Sequence, residues 1–248
     1  MIARPPKKRW FSWDPDSDTA AAIISALIMC CGGYWLLVHL PAGSTLQLAY
    51  RFVFESLLVI APVWWICRHR HGSLSDLGIK KDGFATSLAV SIVISLVFLY
   101  FVFRHFSSYG SALVPHFLMN AIILWEPFFL FSWLQLRFDR AFGIIPGILL
   151  TGICLGAYHL GTYGLPLVLS LAAFGIVFAA IFRITGNIFI MWPLTWSTAS
   201  AEGSLEGGFL FGWNDVLLAV LILAVQLAFI LAVSLAEAPK TRDEGNPF

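Results

Sequence analysis

Charged residues are what this sequence has least of. Only 12% of its 248 residues are Asp, Glu, Lys or Arg, whereas soluble domains have about 25%. Hydrophobic residues make up 59%, above the about 45–50% of soluble proteins. This composition excludes an ordinary soluble domain and indicates an all-α polytopic membrane protein, because helices satisfy their own backbone hydrogen bonds inside a bilayer.

Cysteine is also scarce, with four residues in the chain, Cys30, Cys31, Cys67 and Cys154. All four lie in or beside apolar stretches, and their spacing fits neither a zinc site nor a secreted disulfide framework. Internal repeats and low-complexity segments are absent as well. We expect no cleavable signal peptide, because the basic start is followed by an apolar run, 20–40, that is long enough to span a membrane.

The apolar stretches of the chain predict eight transmembrane helices, of which the fifth, sixth and seventh are short for a crossing that requires about 20 residues. Their predicted limits are 19–40, 46–67, 84–104, 112–136, 144–160, 163–182, 187–200 and 214–236. The sequence therefore predicts a bundle of about eight helices in one domain, 19–236. We expect disordered ends, a basic N-terminal segment at 1–18 and a polar tail at 237–248.

The basic residues predict the orientation of the bundle. All of the 15 Lys and Arg residues except Arg51 and Arg104 lie in loops on one side or in the termini. Because Lys and Arg accumulate in cytoplasmic loops, both termini are predicted to be cytoplasmic.

Two ionisable residues lie deep inside the predicted helices. Glu126 is in the aromatic stretch "LWEPFFLFSWLQLRF", roughly 16 Å from Arg137 at about 1.5 Å per residue. His159 is in "ICLGAYHLG", roughly 20 Å from Pro146 on the same scale, and it shares a face with Gly152 and Gly156, where another helix should pack closely. The two side chains should therefore lie at similar depth and could meet.

A buried Glu–His pair allows three interpretations. It can be a metal ligand with a general base, a proton or ion relay of a transporter, or a hydrogen-bonded pair that only holds helices together. The spacing of the residues leaves these three open.

Four short segments resemble the CPBP family of intramembrane proteins (CAAX proteases and bacteriocin-processing enzymes, also called Abi or type II CAAX prenyl endopeptidases). "LSDLGIKKDG" is similar to a short cytoplasmic segment of that family, and "WEPFFLFSWL" lies where the family has its EExxxR motif. "LGAYHLG" is similar to the FxxxH motif, and "FRITGNIFIMWP" to the entry into the helix with the last motif, HxxxN. The likeness covers roughly residues 70–200.

The resemblance implies a fold of eight helices and an intramembrane endopeptidase whose motif-one Glu activates water. Glu126 and His159 are the catalytic residues it implies here, Glu126 as general base and His159 orienting water or holding an ion. Pro127 should kink the helix and open a cavity beside Glu126. Leu130 takes the place of the family's Arg if Glu126 matches the second Glu of the motif, and Phe131 takes it if Glu126 matches the first. Trp192 and Thr195 should line the same cavity from the seventh helix.

The last motif departs from the family pattern, because counting from Gly186 puts Thr195 and Ala199 where the family has His and Asn. The string "HFLMN", with His116 and Asn120, is rejected as that motif because it lies outward of Glu126. Asn187 is interpreted as a cap or turn residue. Glu202 and Glu206 are interpreted as solvated acids of an outer loop. A zinc site needs three protein ligands, so we expect no metal and no other cofactor; zinc would fit only if further ligands existed.

These observations favour an intramembrane endopeptidase homologue that acts on a membrane-delivered peptide or a lipidated chain end. The alternatives are a catalytically degenerate relative that binds a peptide, lipid or partner protein in the same cavity, and an ion-coupled transporter that uses Glu126 and His159. We expect membrane lipids as partners, no nucleic acid, and a location in a prokaryotic plasma membrane. The sequence leaves the oligomeric state open.

Overall fold

The computed structural model describes residues 9–41 and 43–237, which form an all-α bundle. The predicted fold class, a polytopic helical bundle, is confirmed. The helices are α1 (Ser17–His39), α2 (Thr45–Trp64), α3 (Phe84–Arg104), α4 (Phe106–Tyr109), α5 (Leu113–Ile122), α6 (Trp125–Pro127), α7 (Leu136–Phe142), α8 (Ile144–Tyr158), α9 (Leu165–Thr185), α10 (Thr195–Glu206) and α11 (Trp213–Glu237).

Six helical segments in this part of the chain are long and apolar enough to cross a membrane. They are Ser17–His39, Thr45–His69, Phe84–Arg104, Phe106–Phe142, Leu165–Thr185 and Trp213–Ala236. The other two predicted spans correspond to the shorter helices α8 and α10. The prediction of about eight bundle helices therefore matches the architecture, but only six of them have the length of a full crossing.

The predicted seventh span, 187–200, is wrong in its position. A 3₁₀ turn occupies Ile188–Ile190, and α10 begins only at Thr195. Pro193 explains why the helix begins later than predicted, because proline has no N–H for a helix interior and disfavours helical backbone at the preceding residue. As predicted, Asn187 is a cap, since its side chain accepts the N–H of Phe189.

The predicted fourth span is broken rather than kinked. Ile123 is extended, with φ −61° and ψ 111°, and a new helical segment starts at Trp125 and continues through a π-helix, Phe128–Gln135, into α7. Pro127 therefore lies in a first helical turn, where a missing N–H is tolerated. The break comes before Glu126, and the kink predicted at Pro127 is replaced by this break.

The chain start is ordered from residue 9, so the expected disorder of 1–18 is wrong for the described part. The Ser12 N–H donates to the Phe142 carbonyl at 2.9 Å, and the Ile144 N–H donates to the Arg9 carbonyl at 3.1 Å. Asp16 caps α1 through the Thr19 N–H. Residues 1–8 and most of the predicted tail, 238–248, lie outside the described residues.

Helices α8 and α9 pack at glycine positions, as the sequence predicted. A Cβ added at Gly152 would lie 2.7 Å from the Ala172 carbonyl oxygen, and one at Gly156 would lie 2.8 Å from the Val168 carbonyl oxygen. Larger residues would separate the helices. This contact holds the end of α8, and with it His159, against α9.

Candidate active site

Glu126 lies in the first turn of the helical segment that starts at Trp125. It is only 7% exposed, and the indole N–H of Trp196 donates to its Oε2 at 3.2 Å. The first turn leaves backbone N–H groups without helical partners and is the positive end of the helix dipole, which favours a carboxylate. The break at Ile123 therefore creates a backbone position that suits an acid inside the bundle.

His159 follows the last residue of α8, and its Nδ1 lies 2.8 Å from the Leu155 carbonyl oxygen. A carbonyl only accepts hydrogen bonds, so we assign the proton to Nδ1. In the neutral ring this leaves the lone pair on Nε2. The backbone of α8 thus sets both the tautomer and the direction of the imidazole.

The two predicted catalytic residues face each other across a short gap. His159 Nε2 lies 4.0 Å from Glu126 Oε1, so they lie at similar depth, as the sequence predicted. That distance is too long for a direct hydrogen bond. When His159 is neutral and Glu126 ionised, both atoms are acceptors, and the gap between them suits a molecule that donates to both, such as water.

A cavity of about 180 Å³ opens beside this pair. Its polar lining includes Tyr163, Trp196 and Ser200, and the Tyr163 ring stacks on His159 with centroids 5.7 Å apart. The apolar lining comes mainly from α9 and consists of Phe98, Leu155, Leu167, Leu171, Phe174, Phe178 and Ala199. The cavity thus joins a polar end at Glu126 to an apolar wall.

Pro127, Leu130, Trp192 and Thr195, which were predicted to line the cavity, are not among the described residues that line it. Leu130 is fully buried in the apolar core. Thr195 bonds instead to Ser91 of α3, with the two hydroxyl oxygens 3.0 Å apart. Because successive residues of a helix point about 100° apart, the next residue, Trp196, reaches Glu126 instead.

His116 and Asn120, the pair rejected as the last motif, hold α10 in place. His116 Nε2 bonds to the Ala201 carbonyl at 2.9 Å, and its Nδ1 accepts the Phe211 N–H at 3.2 Å. Asn120 accepts a hydrogen bond from Ser200 at 2.8 Å. The His116 ring and the Asn120 amide therefore both hold neighbouring segments in place around the cavity wall.

Sequence reasoning missed a second buried acid, Glu55 of α2, which is 5% exposed. Arg51 Nε donates to it at 2.8 Å, and Arg51 also pairs with Asp215 at 3.3 Å. The spacing of Arg51 and Glu55, four residues apart on one helix, was a signal that could have found this pair.

Tyr163 was also missed. It precedes the span Leu165–Thr185, and its hydroxyl has no hydrogen-bond partner among the described residues. Burial raises the pKa of the Tyr163 phenol, and the negative charge of Glu126 raises it further. The phenol therefore keeps its proton at neutral pH and can donate into the cavity.

The interpretation of Glu202 and Glu206 as acids of an outer loop is wrong, because both lie in α10. His105 Nε2 lies 3.4 Å from Glu202 and 3.8 Å from Glu206, and the three groups are close enough together to hold a cation. Glu126 and His159 fit zinc less well. They supply two ligands, and the third neighbour is the indole N–H of Trp196, which only donates.

Comparison with known proteins gave one match. Residues 122–196 match the family described as Type II CAAX prenyl endopeptidase Rce1-like. No curated protein and no solved structure matches the chain. The matched segment contains Glu126, His159 and Trp196, the three side chains that meet at the polar end of the cavity. It confirms the predicted resemblance and supports, at the level of the family, a membrane protein of the CAAX-protease type.

Proposed function

We propose that this protein is an intramembrane endopeptidase that cleaves a peptide bond near a lipidated or apolar chain end. The observation that carries the proposal is the 4.0 Å gap between Glu126 Oε1 and His159 Nε2 at the wall of a cavity. Two acceptor atoms at that separation are suited to hold one water molecule by its two hydrogens. The family match of the same segment supports the reaction class.

Glu126 is the general base in this mechanism. Its carboxylate takes a proton from the water while the water oxygen attacks the carbonyl carbon of the substrate. The proton then passes from Glu126 to the nitrogen of the leaving amine, and the C–N bond breaks. The Trp196 indole N–H, bonded to the other carboxylate oxygen at 3.2 Å, keeps the reacting oxygen directed at His159.

His159 orients the water. Its Nδ1–H is held by the Leu155 carbonyl, so Nε2 accepts the second hydrogen of the water. Fixing both hydrogens points a lone pair of the water oxygen at the substrate carbon. Orientation of this kind lowers the entropic part of the barrier.

Tyr163 supplies the donor for the developing oxyanion. Its ring is stacked on His159, and it lines the same cavity. A donor placed where negative charge develops stabilises the transition state more than the substrate. This role replaces the polar residues that the family motif would have at Thr195 and Ala199.

The apolar wall favours a substrate with a hydrocarbon or apolar segment. Leu167, Leu171 and Phe174 of α9 line the same cavity as Glu126. An apolar chain on that wall would be removed from water and would hold the peptide bond near the Glu126–His159 gap.

The test is cleavage by the purified full-length protein in lipid nanodiscs, with a fluorogenic peptide that ends in a prenylated CAAX sequence. Glu126→Gln and His159→Ala should each abolish cleavage while the protein stays folded. Glu55→Gln, the same change in a neighbouring buried acid, should keep cleavage per folded molecule. Cleavage that survives both Glu126→Gln and His159→Ala would refute the proposal.

A binding protein without catalysis is the second candidate, favoured by Ala199, which brings no polar group to the cavity. It predicts that a lipidated peptide binds equally to the unmodified protein and to Glu126→Gln, with no product in either. An ion-coupled transporter instead predicts flux in liposomes that Glu126→Gln abolishes.

A further inference from the structure

Arg137 of α7 is a buried cation that does not line the cavity of the proposed catalytic pair. It is 1% exposed, and its guanidinium donates to the Asp76 carbonyl at 2.7 Å and lies 5.2 Å from the centroid of the Trp133 ring. Its Nε has no hydrogen-bond partner, and no carboxylate of the described residues lies within ion-pair distance of it. A buried charge without an opposite charge is strongly unfavourable.

The same guanidinium lines a pocket of about 160 Å³ with two other arginines, Arg70 and Arg140. Two acids, Asp18 and Asp76, share the pocket, so three positive charges face two negative ones. Asp18 is already bonded to both of the other arginines, at 3.0 and 3.5 Å. The Asp76 carboxylate accepts the Ser73 N–H at 2.9 Å.

These acids therefore leave the Arg137 charge without a direct partner. Asp16, Asp18 and Asp76 attract it from a distance, but its closest oxygen belongs to a backbone carbonyl. Phosphate oxygens suit such a pocket, because arginine binds phosphate through two parallel hydrogen bonds.

The surroundings place this pocket at the membrane surface. Residues 9–14 lie across the α7–α8 junction and expose Trp10, Phe11 and Trp13, which are 67%, 66% and 81% accessible. Trp side chains are enriched at membrane–water interfaces. Basic pockets between transmembrane helices at this level bind the head groups of anionic lipids.

We propose that the pocket formed by Arg70, Arg137 and Arg140 binds the phosphate of an anionic membrane lipid. The lipid phosphate would bridge the two outer arginines and bring negative charge next to Arg137. This inference does not depend on the proposed protease activity.

The experiment measures lipid binding to the purified full-length protein by native mass spectrometry. The probes are short-chain phosphatidylglycerol, phosphatidylcholine and inorganic phosphate. Phosphatidylglycerol should bind most tightly. Arg70→Gln and Arg140→Gln should each weaken it about fivefold, the effect of one basic residue at an anionic surface.

Two further variants separate binding from folding. Arg68→Gln changes an exposed arginine two residues from Arg70 but outside the pocket, and it should leave the affinity unchanged. Asp18→Asn keeps an acceptor for the Trp65 indole, which donates to Asp18 at 3.0 Å, and removes the competing charge, so it should tighten binding about fivefold.

Three results would overturn the proposal. An equal loss in Arg68→Gln and Arg70→Gln would indicate diffuse surface attraction. Weaker binding in Asp18→Asn would mean that the arginines serve only the fold. Inorganic phosphate that binds as tightly as phosphatidylglycerol would assign the pocket to a free anion instead of a lipid.

Discussion

Two buried glutamates of this protein differ in how their charge is balanced. Glu55 is held by Arg51 at 2.8 Å, and a second acid, Asp215, bonds the same arginine. Glu126 is equally buried but has only an indole N–H at 3.2 Å and an imidazole at 4.0 Å. A carboxylate that is paired with a cation can stabilise the fold, whereas one that is partly paired beside a cavity can accept a proton from a substrate or from water.

Loss of Glu55 and loss of Glu126 should therefore change different properties of the protein. The Glu55 group connects α2 to α11 through Arg51 and Asp215, and its loss should appear in stability. Glu126 is costly to bury without an opposite charge, so its loss should appear in activity.

The largest effect is expected for Glu126→Gln. Cleavage should fall by about 10²–10⁴-fold, the contribution of a positioned general base, because an amide cannot take the proton of water. The melting temperature should stay the same or rise, since a buried carboxylate is removed. Turnover measures the fall in cleavage, and thermal unfolding of the same preparation measures the melting temperature. A large loss of stability would make Glu126 a structural residue like Glu55.

Glu55→Gln should have the opposite profile. Breaking one partner of a buried ion pair costs about 3–5 kcal/mol, because Arg51 keeps a charge with fewer partners. Denaturant unfolding in detergent measures the loss. Arg51→Gln with Glu55→Gln should cost less than the sum of the single changes; additivity would show that the pair is not coupled.

Tyr163→Phe should reduce kcat by about 10²–10³-fold, the usual effect of losing one oxyanion donor. KM should change little, because the ring and its stacking on His159 remain. Tyr34→Phe, at a tyrosine that is 46% exposed, is the control. Unchanged kcat in Tyr163→Phe would remove this residue from the mechanism.

The smallest effect is expected for Trp196→Phe, which removes the indole donor of Glu126. A hydrogen bond to a charged group contributes about 1.5–3 kcal/mol, so the free energy of unfolding should fall by an amount of that size. In a Glu126→Gln background the loss should be smaller. A double-mutant cycle measures the coupling, and equal losses in both backgrounds would mean that Trp196 acts through packing alone.

The sequence was sufficient for the fold class and for the meeting of Glu126 and His159. The apolar runs predicted the number and approximate position of most helices, and the rise per residue predicted the similar depth of Glu126 and His159. The glycines of α8 indicated the packing face. These features depend on local composition and regular helix geometry, which a single sequence contains.

The sequence could not assign the third side chain of the site. Residues 187–194 are irregular before α10, so counting residues through them gave Thr195 where Trp196 reaches Glu126. An error of one residue rotates a helix position by about 100°. Glu55 was missed although its partner Arg51 lies four residues away on the same helix. The cavity position of Tyr163 was missed because Glu126, which lines the same cavity, comes from another segment that only the tertiary structure brings close.

The short helix α8 has a consequence for the lipid around the protein. Its 15 residues extend roughly 22 Å at about 1.5 Å per residue, against a hydrocarbon core of about 30 Å. Ile145, Leu149 and Ile153 are exposed along it and would face acyl chains. We expect this hydrophobic mismatch to thin the bilayer beside α8, which would shorten the path of a peptide bond from the head groups to His159.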